Sequence, residues 1–143
     1  MAVRRITPQE AKTLMDEGYV YVDVRSIPEF AAGHPEGAFN VPLNHMGPAG
    51  MTPNPEFLEV MQRAFPKDAR LVLGCKAGGR SARAASLLES AGYTQIVDQR
   101  AGYEGAPDPA TGQVEPGWRP AGLPVTRDAA PGRDYEGLKA SRK

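Results

Sequence analysis

The chain has 143 residues, room for one domain around one core and not for a second catalytic domain. Hydrophobic residues make up 41% and charged residues 24%, the balance of a globular chain that folds in water, which excludes a disordered or fibrous protein. Seventeen basic residues match seventeen acidic ones, so no global field draws in nucleic acid or an anionic membrane, and any anion site has to be local.

The longest apolar runs are a few residues long, such as Leu71-Val72-Leu73, and residues 1–13 are charged with no apolar signal core. Neither a bilayer-spanning helix nor a secretory leader is expected, and a cytoplasmic location is the default. The one cysteine, Cys75, excludes an internal disulfide, a CxxC redox pair and a thiolate zinc cluster.

In chain order, Thr7-Pro8-Gln9-Glu10 is a capping box with proline at the first helical position, and Gly18 supplies a stop, which predicts a helix over 8–17. Residues 20–22 predict a short buried strand that ends at the charged Asp23 and Arg25. One or two helical turns over 28–32 then precede the turn-rich Gly33-His34-Pro35-Glu36-Gly37, with a second strand over 38–41. Asn54 predicts a cap on a helix from Pro55, where Phe57, Val60, Met61, Ala64 and Phe65 recur at spacings of three and four and Pro66 is the stop.

Residues 70–74 read as a buried strand, followed by a glycine-containing stretch over 75–80. A helix over 81–91 places Ala84, Leu87, Leu88 and Ala91 on one face and ends at Gly92, and residues 94–97 make the last strand. Glycine and proline supply 12 of the 31 residues over 102–132, so the core lies mostly before residue 104. Strands alternating with helices predict an α/β fold with a largely parallel sheet, whose chemistry sits at the carboxyl ends of the strands.

Cys75 falls at such an end, directly after a buried strand and before a helix. The small residues of Cys75-Lys76-Ala77-Gly78-Gly79-Arg80 let the backbone curl, so that successive amides and the positive end of the next helix face the sulfur. A lone cysteine is more often a small buried hydrophobe. A core position has no need of two glycines and two cations in the next five residues, and this context favours a functional thiolate.

Cys75-Lys76-Ala77-Gly78-Gly79-Arg80-Ser81, with Ala84, Ala85, Leu88 and Gly92-Tyr93, resembles the active-site signature of the rhodanese (thiosulfate sulfurtransferase) family. Asp23-Val24-Arg25 with Glu29-Phe30, Gly33-His34 and Gly37-Ala38-Phe39-Asn40-Val41-Pro42 is similar to the family's N-terminal motif. Trp118 with Ala121-Gly122-Leu123-Pro124-Val125 is similar to its C-terminal end. The resemblance covers about residues 4–125 and implies a rhodanese-like three-layer α/β fold, a five-stranded mostly parallel sheet flanked by helices, with the Cys75 loop at the base of a shallow pocket. It implies a domain over 1–126 with an insertion at about 104–117, followed by a C-terminal tail over 127–143, either solvated or a loosely docked arm.

The mechanism implied by the resemblance is a two-step transfer. The Cys75 thiolate attacks the outer sulfur of thiosulfate, or of another persulfide donor, sulfite leaves from thiosulfate, and the Cys75 persulfide then passes its sulfur to cyanide, a thiol or a partner protein. No metal or organic cofactor is required. The alternative is a persulfide carrier or rhodanese-fold binding module that delivers sulfur to a partner protein. The tyrosine-phosphatase signature places arginine six positions after the cysteine; here Ser81 is sixth and Arg80 fifth, and the resemblance implies a cradle sized for sulfur rather than phosphate.

Lys76, Ala77, Gly78, Gly79 and Arg80 form that substrate or anion cradle by resemblance. Lys76 either draws in the donor's anionic group or is a solvated surface lysine. The resemblance implies that Arg80 closes the loop and pairs with Asp23, holding the cradle in shape; Arg25 either does the same or touches substrate, the structural ion pair being favoured, and Ser81 is expected to cap the following helix. His34 and His45 lack metal-ligand spacing, with His34 ordering the turn, and Tyr103 and Trp118 are core or rim aromatics. The insertion is expected as an ordered turn or surface loop that shapes acceptor or partner choice, and neutral charge without a long apolar stripe predicts a monomer.

Overall fold

The computed structural model describes residues 4–47, 50–76, 79–107, 111–128 and 133–140. The first half of the chain forms β1 (Arg4–Ile6), α1 (Pro8–Asp16), β2 (Val20–Asp23), α2 (Ile27–Ala32), β3 (His34–Pro35), β4 (Phe39–Asn40), β5 (Asn44–Gly47), β6 (Gly50–Pro53) and α3 (Phe57–Ala64). The second half forms β7 (Leu71–Gly74), α4 (Gly79–Ser90), β8 (Ile96–Gln99), β9 (Gly105–Pro107), β10 (Val114–Pro116), β11 (Val125–Thr126) and α5 (Tyr135–Ala140).

Five strands make one sheet in the order β1-β8-β7-β2-β4, and every pairing in it is parallel. Every residue of β7 and β8 is buried, the pattern of a sheet covered on both faces. The pleat divides the core accordingly. Val22, Leu71, Leu73 and Ile96 pack with residues of α3, α4 and α5, while Tyr21, Val72 and Val97 pack with Ala11 of α1 and with Trp118.

The helix starts follow the sequence signals. At α1, Glu10 N donates to Thr7 Oγ1 at 3.0 Å and Thr7 N returns a bond to Glu10 Oε1 at 2.9 Å, the reciprocal box read from the sequence. At α2, Ser26 N and Ser26 Oγ both donate to Glu29 Oε1, at 3.0 and 2.8 Å. The Asn54 carboxamide stands three residues before the start of α3: its Oδ1 accepts from Glu56 N at 3.0 Å, and Pro55 and Glu56 form a turn, so the helix begins at Phe57 rather than Pro55.

Several segments add to or depart from the sequence reading. The last central strand runs over Ile96–Gln99 rather than 94–97, because Leu71 pairs with Ile96 and Leu73 with Asp98 and because both polar residues find partners inside the fold. Residues 4–6, 44–47 and 50–53, which carried no alternating apolar signal, form the edge strand β1 and the antiparallel pair β5 and β6. In the segment read as a tail or docked arm, α5 packs on α3, with Tyr135 2% and Leu138 9% exposed and Asn54 Nδ2 donating to the Tyr135 hydroxyl at 3.0 Å. In the expected insertion, β9 and β10 pair antiparallel, and Arg100 Nε donates to Glu115 Oε1 at 2.9 Å, tying β10 back to the end of β8.

Gly74 ends β7 over the buried ring of Tyr21, and a Cβ there would overlap the Tyr21 hydroxyl. Gly74→Ala is therefore expected to destabilise the fold by about 1–3 kcal/mol, as overpacking of a filled core does, measured as a lower urea midpoint at unchanged slope. An unchanged midpoint would show that Tyr21 moves aside freely.

Candidate functional site

Parallel pairing brings the carboxyl ends of β2, β7 and β8 to one edge of the sheet, with Asp23 beside Gly74 and Asp98 beside Leu73. Cys75 follows β7 there and is 2% exposed, while the next residue, Lys76, is exposed. Ala77 and Gly78, two of the expected cradle residues, lie outside the described residues. Gly79 opens α4, so the helix starts four residues after the sulfur-bearing residue.

The backbone of the Cys75 segment is held from the β8 side. Tyr103 N donates to Cys75 O at 2.6 Å and Glu104 N to Lys76 O at 3.0 Å. Gly102 allows this approach: its φ is +72°, and a Cβ would stand 2.5 Å from Lys76 O and 2.7 Å from Cys75 O. Gln99 shapes the turn beneath, its Oε1 accepting from Ala101 N and Gly102 N at 2.9 Å each while its Nε2 donates to Gly102 O at 2.8 Å.

Asp23 and Arg25 form a buried pair, 1% and 4% exposed, with Arg25 Nη2 donating to Asp23 Oδ2 at 2.7 Å and to the Gly33 carbonyl at 2.6 Å. Burial alone would lower the Arg25 pKa; the Asp23 charge more than offsets it, and the guanidinium stays firmly protonated. Arg25 also lies over the ring of Tyr103, 4.3 Å from its centroid. Arg25 thus makes its ion pair with Asp23.

Arg80 departs from the sequence reading. It does not pair with Asp23, whose carboxylate Arg25 already engages; it reaches back from α4 to α2, where Nη1 and Nη2 donate to Glu29 Oε1 and Oε2 at 2.7 and 3.0 Å. Ser81 also departs. With α4 beginning at Gly79, Ser81 lies within the first turn rather than at the cap, fully buried, and its hydroxyl donates to Asp98 Oδ1 at 2.5 Å. Ser81 Oγ itself accepts from Cys75 Sγ at 3.6 Å.

Asp98 was missed at the sequence level. It is 1% exposed and its Oδ2 accepts from Arg5 Nε at 2.9 Å. Burial pushes the Asp98 carboxyl above the usual range, and the bonds from Ser81 and Arg5 only partly counter it. The available signal was a carboxylate inside the otherwise apolar run Ile96-Val97-Asp98, which ending the strand at Val97 set outside the sheet.

The remaining candidates are structural. His34 is buried, stacked on Phe30 at 3.7 Å, and its Nδ1 donates to the Phe30 carbonyl at 2.8 Å, while Trp118 is fully buried against Tyr21. No group of three metal-ligating side chains occurs among the described residues. A cavity of about 360 Å³ opens beside the site, lined by Lys76, Arg25, Tyr103, Glu104 and Arg119 among others, and Arg119 pairs with Glu104 across its rim.

Comparison with known proteins agrees with this architecture. Residues 7–106 match the model of the rhodanese-like domain. The Arabidopsis thaliana protein named thiosulfate sulfurtransferase 16, chloroplastic, is 42% identical over 93 residues, 65% of this chain and 78% of that protein. The senescence-associated protein DIN1 of Raphanus sativus is 40% identical over 93 residues, and the chain spans 51% of its length. The crystal structure of Rv0390 from M. tuberculosis superposes with a TM-score of 0.74 at 28% identity, covering 90% of this chain and 100% of that one. A parallel five-stranded α/β sheet, a cysteine loop at its carboxyl edge and these matches place the chain in the rhodanese-like domain family.

Proposed function

We propose that this protein is a sulfurtransferase in which Cys75 takes the outer sulfur of thiosulfate or another persulfide donor and passes it to a thiophilic acceptor. The observation that carries the reading is the placement of Cys75: buried at the carboxyl end of the central strand, four residues before the N-terminus of α4 and held from behind by the backbone of 102–104. In step one the thiolate attacks the outer sulfur, the S–S bond of the donor breaks, and sulfite leaves with the electron pair. In step two an acceptor such as cyanide, a thiol or a protein thiol attacks the persulfide's outer sulfur and the Cys75 thiolate is restored.

The surroundings support each step. A sulfur on Cys75 would be shielded from bulk water, which protects a reactive persulfide between half-reactions. Lys76 offers an exposed cation beside the cavity to an anionic donor, and the paired Arg25 and Arg80 keep the strand ends and the first turn of α4 in place. The chemistry as written needs no metal or organic cofactor. Among the described residues no helix is long and apolar enough to cross a membrane, and a cytoplasmic monomer completes the proposal.

Incubation with thiosulfate is expected to add one sulfur, about 32 Da, to the intact wild-type protein and nothing to Cys75→Ser, with cyanide reversing the gain. An unmodified wild type whose Cys75 still alkylates would exclude thiosulfate as the donor.

The clamp between α2 and α4 carries its own prediction. Burial opposes the ionised Glu29, but hydrogen bonds from Arg80 and Ser26 outweigh it and hold the carboxyl at about 2. A depressed carboxyl contributes stability that is present above its unfolded value of about 4.3 and is lost as pH falls toward 2. Wild type is therefore expected to exceed Glu29→Gln in unfolding free energy near pH 6, with the gap closing between about pH 4.5 and pH 2. Parallel stability curves across that range would mean that the pair contributes nothing.

A further inference from the structure

Tyr103 is 6% exposed, yet its hydroxyl makes no hydrogen bond among the described residues. No fully buried side-chain oxygen among those residues lacks a partner, so this one reaches open space, and the space it lines is the cavity of about 360 Å³ beside Cys75. Gly33 leaves room for it in the cavity wall, where a Cβ would stand 2.9 Å from the hydroxyl. Tyr103 itself is fixed: its N donates to Cys75 O at 2.6 Å, its carbonyl accepts from Arg119 N at 3.0 Å, and Arg25 lies over its ring. Burial raises the phenol's pKa, so the hydroxyl stays protonated and can donate. A donor withdrawn from water and given no partner costs the fold free energy, which a bound acceptor atom would return.

The charges around the cavity cancel in pairs with one exception. Arg25 is bound by Asp23, Glu29 by Arg80 and Arg119 by Glu104, whereas the exposed Lys76 has no ion pair among the described residues. The cavity therefore presents one uncompensated positive charge and one neutral donor, the complement of a single oxyanion. Ala32, Gly33 and the Tyr103 ring add carbon surface. A volume of about 360 Å³ falls in the range of small organic ligand sites, roughly 300–1,000 Å³, and is more than a thiosulfate ion fills.

We propose that this cavity is the acceptor subsite and takes the carboxylate of a small organic thiol, Lys76 supplying the charge and the Tyr103 hydroxyl the directed hydrogen bond. This rests on the reading of Cys75 as the residue that carries the sulfur. The bond from Tyr103 N to Cys75 O joins the two segments, so a thiol anchored by its carboxylate beside Tyr103 is held next to the Cys75 loop. Its thiolate attacks the outer sulfur of the Cys75 persulfide and a new S–S bond forms. The bond to Cys75 breaks, its electron pair restores the Cys75 thiolate, and the acceptor leaves as an organic persulfide. Donor and acceptor occupy the mouth in turn, so Lys76 serves both half-reactions, whereas the Tyr103 hydroxyl selects the acceptor.

Binding is read without sulfur transfer, by amide NMR titration of the full chain with 3-mercaptopropionate and with its neutral counterpart 2-mercaptoethanol. Saturable shifts at Lys76, Tyr103 and Glu104 are expected with the first and not with the second. Tyr103→Phe and Lys76→Gln are each expected to weaken 3-mercaptopropionate about tenfold, the value of a hydrogen bond to a charged group. Tyr103→Phe keeps the ring over Arg25 and removes a hydroxyl that bonds to nothing in the fold, so its urea midpoint stays at or above the wild-type value. No saturable shift, equal shifts with both thiols, or wild-type affinity in Tyr103→Phe overturns the proposal. With thiosulfate-loaded protein, the rate preference for 3-mercaptopropionate over 2-mercaptoethanol at equal thiolate concentration falls about tenfold in Tyr103→Phe. A loss confined to loading by thiosulfate would assign the hydroxyl to the donor's oxygens and overturn the acceptor subsite. Selective carboxylate binding by a protein that thiosulfate leaves unmodified would overturn the donor and not the subsite, and a persulfide on a protein without that selectivity would do the reverse.

Discussion

Pairing of β7 between β2 and β8 sets Asp23 beside Gly74 and Leu73 beside Asp98, and from that register the rest of the site follows. Parallel neighbours are joined by connections that return across the sheet, so their carboxyl ends share one edge, and whatever the chain carries just after each strand is delivered there. Arg25 arrives after β2, Cys75 after β7 and the turn shaped by Gln99 after β8. The pleat then sorts faces: Leu71 and Leu73 belong to the cluster against α3 and α4, and Cys75 falls into the same cluster. A slip of one residue in β7 would carry the sulfur to the opposite face, away from Ser81.

That edge is unusually polar for a core. Asp23, Arg25, Ser81, Asp98 and Gln99 are all at most 4% exposed, and among the described residues no buried side-chain nitrogen or oxygen lacks a partner. Each is bound by a neighbouring strand, helix or turn, and removal of one partner from a buried charge pair typically costs about 3–5 kcal/mol. Replacement by well-packed apolar residues would cost the fold little, so stability alone does not account for them. What they supply is orientation: Asp23 and Asn40 fix the chain around Arg25, Gln99 fixes the turn that grips Cys75 O, and Asp98 fixes the Ser81 hydroxyl.

Elements with a local signature were legible in the sequence. The capping box at Thr7, the apolar run before Cys75 and the three- and four-residue spacing in α3 each state their structure within a dozen residues, and the cysteine loop with its flanking motifs stated the family. What was not legible depends on pairing between distant segments. Arg80 reads as a partner for Asp23 until the Asp23 carboxylate is seen to be occupied by Arg25 and Glu29 to stand across α2, 51 residues away. Asp98 reads as the end of a strand because a lone carboxylate in an apolar run has no local partner, and its partners are 93 and 17 residues distant. Tyr135 reads as part of a charged tail because the side chain that receives it, Asn54, lies 81 residues earlier.

The zero net charge of the chain makes any anion site a matter of local imbalance, and the residues around the cavity show how one arises. Arg25 is neutralised by Asp23, Arg80 by Glu29 and Arg119 by Glu104, each at hydrogen-bond distance. Among the described residues Lys76 has no ion pair, although Glu104 lies near enough to feel its charge. Three paired cations contribute shape with little field, so the positive potential at the mouth belongs to the one residue adjacent to Cys75. An anion drawn to Lys76 meets an exposed ammonium whose attraction weakens with salt, whereas the sulfur beneath it is governed by buried partners that salt screens far less. In the proposed reading, capture of an anionic donor at the mouth falls to the exposed Lys76, while the sulfur beneath it is held among buried partners, Ser81 among them, so the two can change separately.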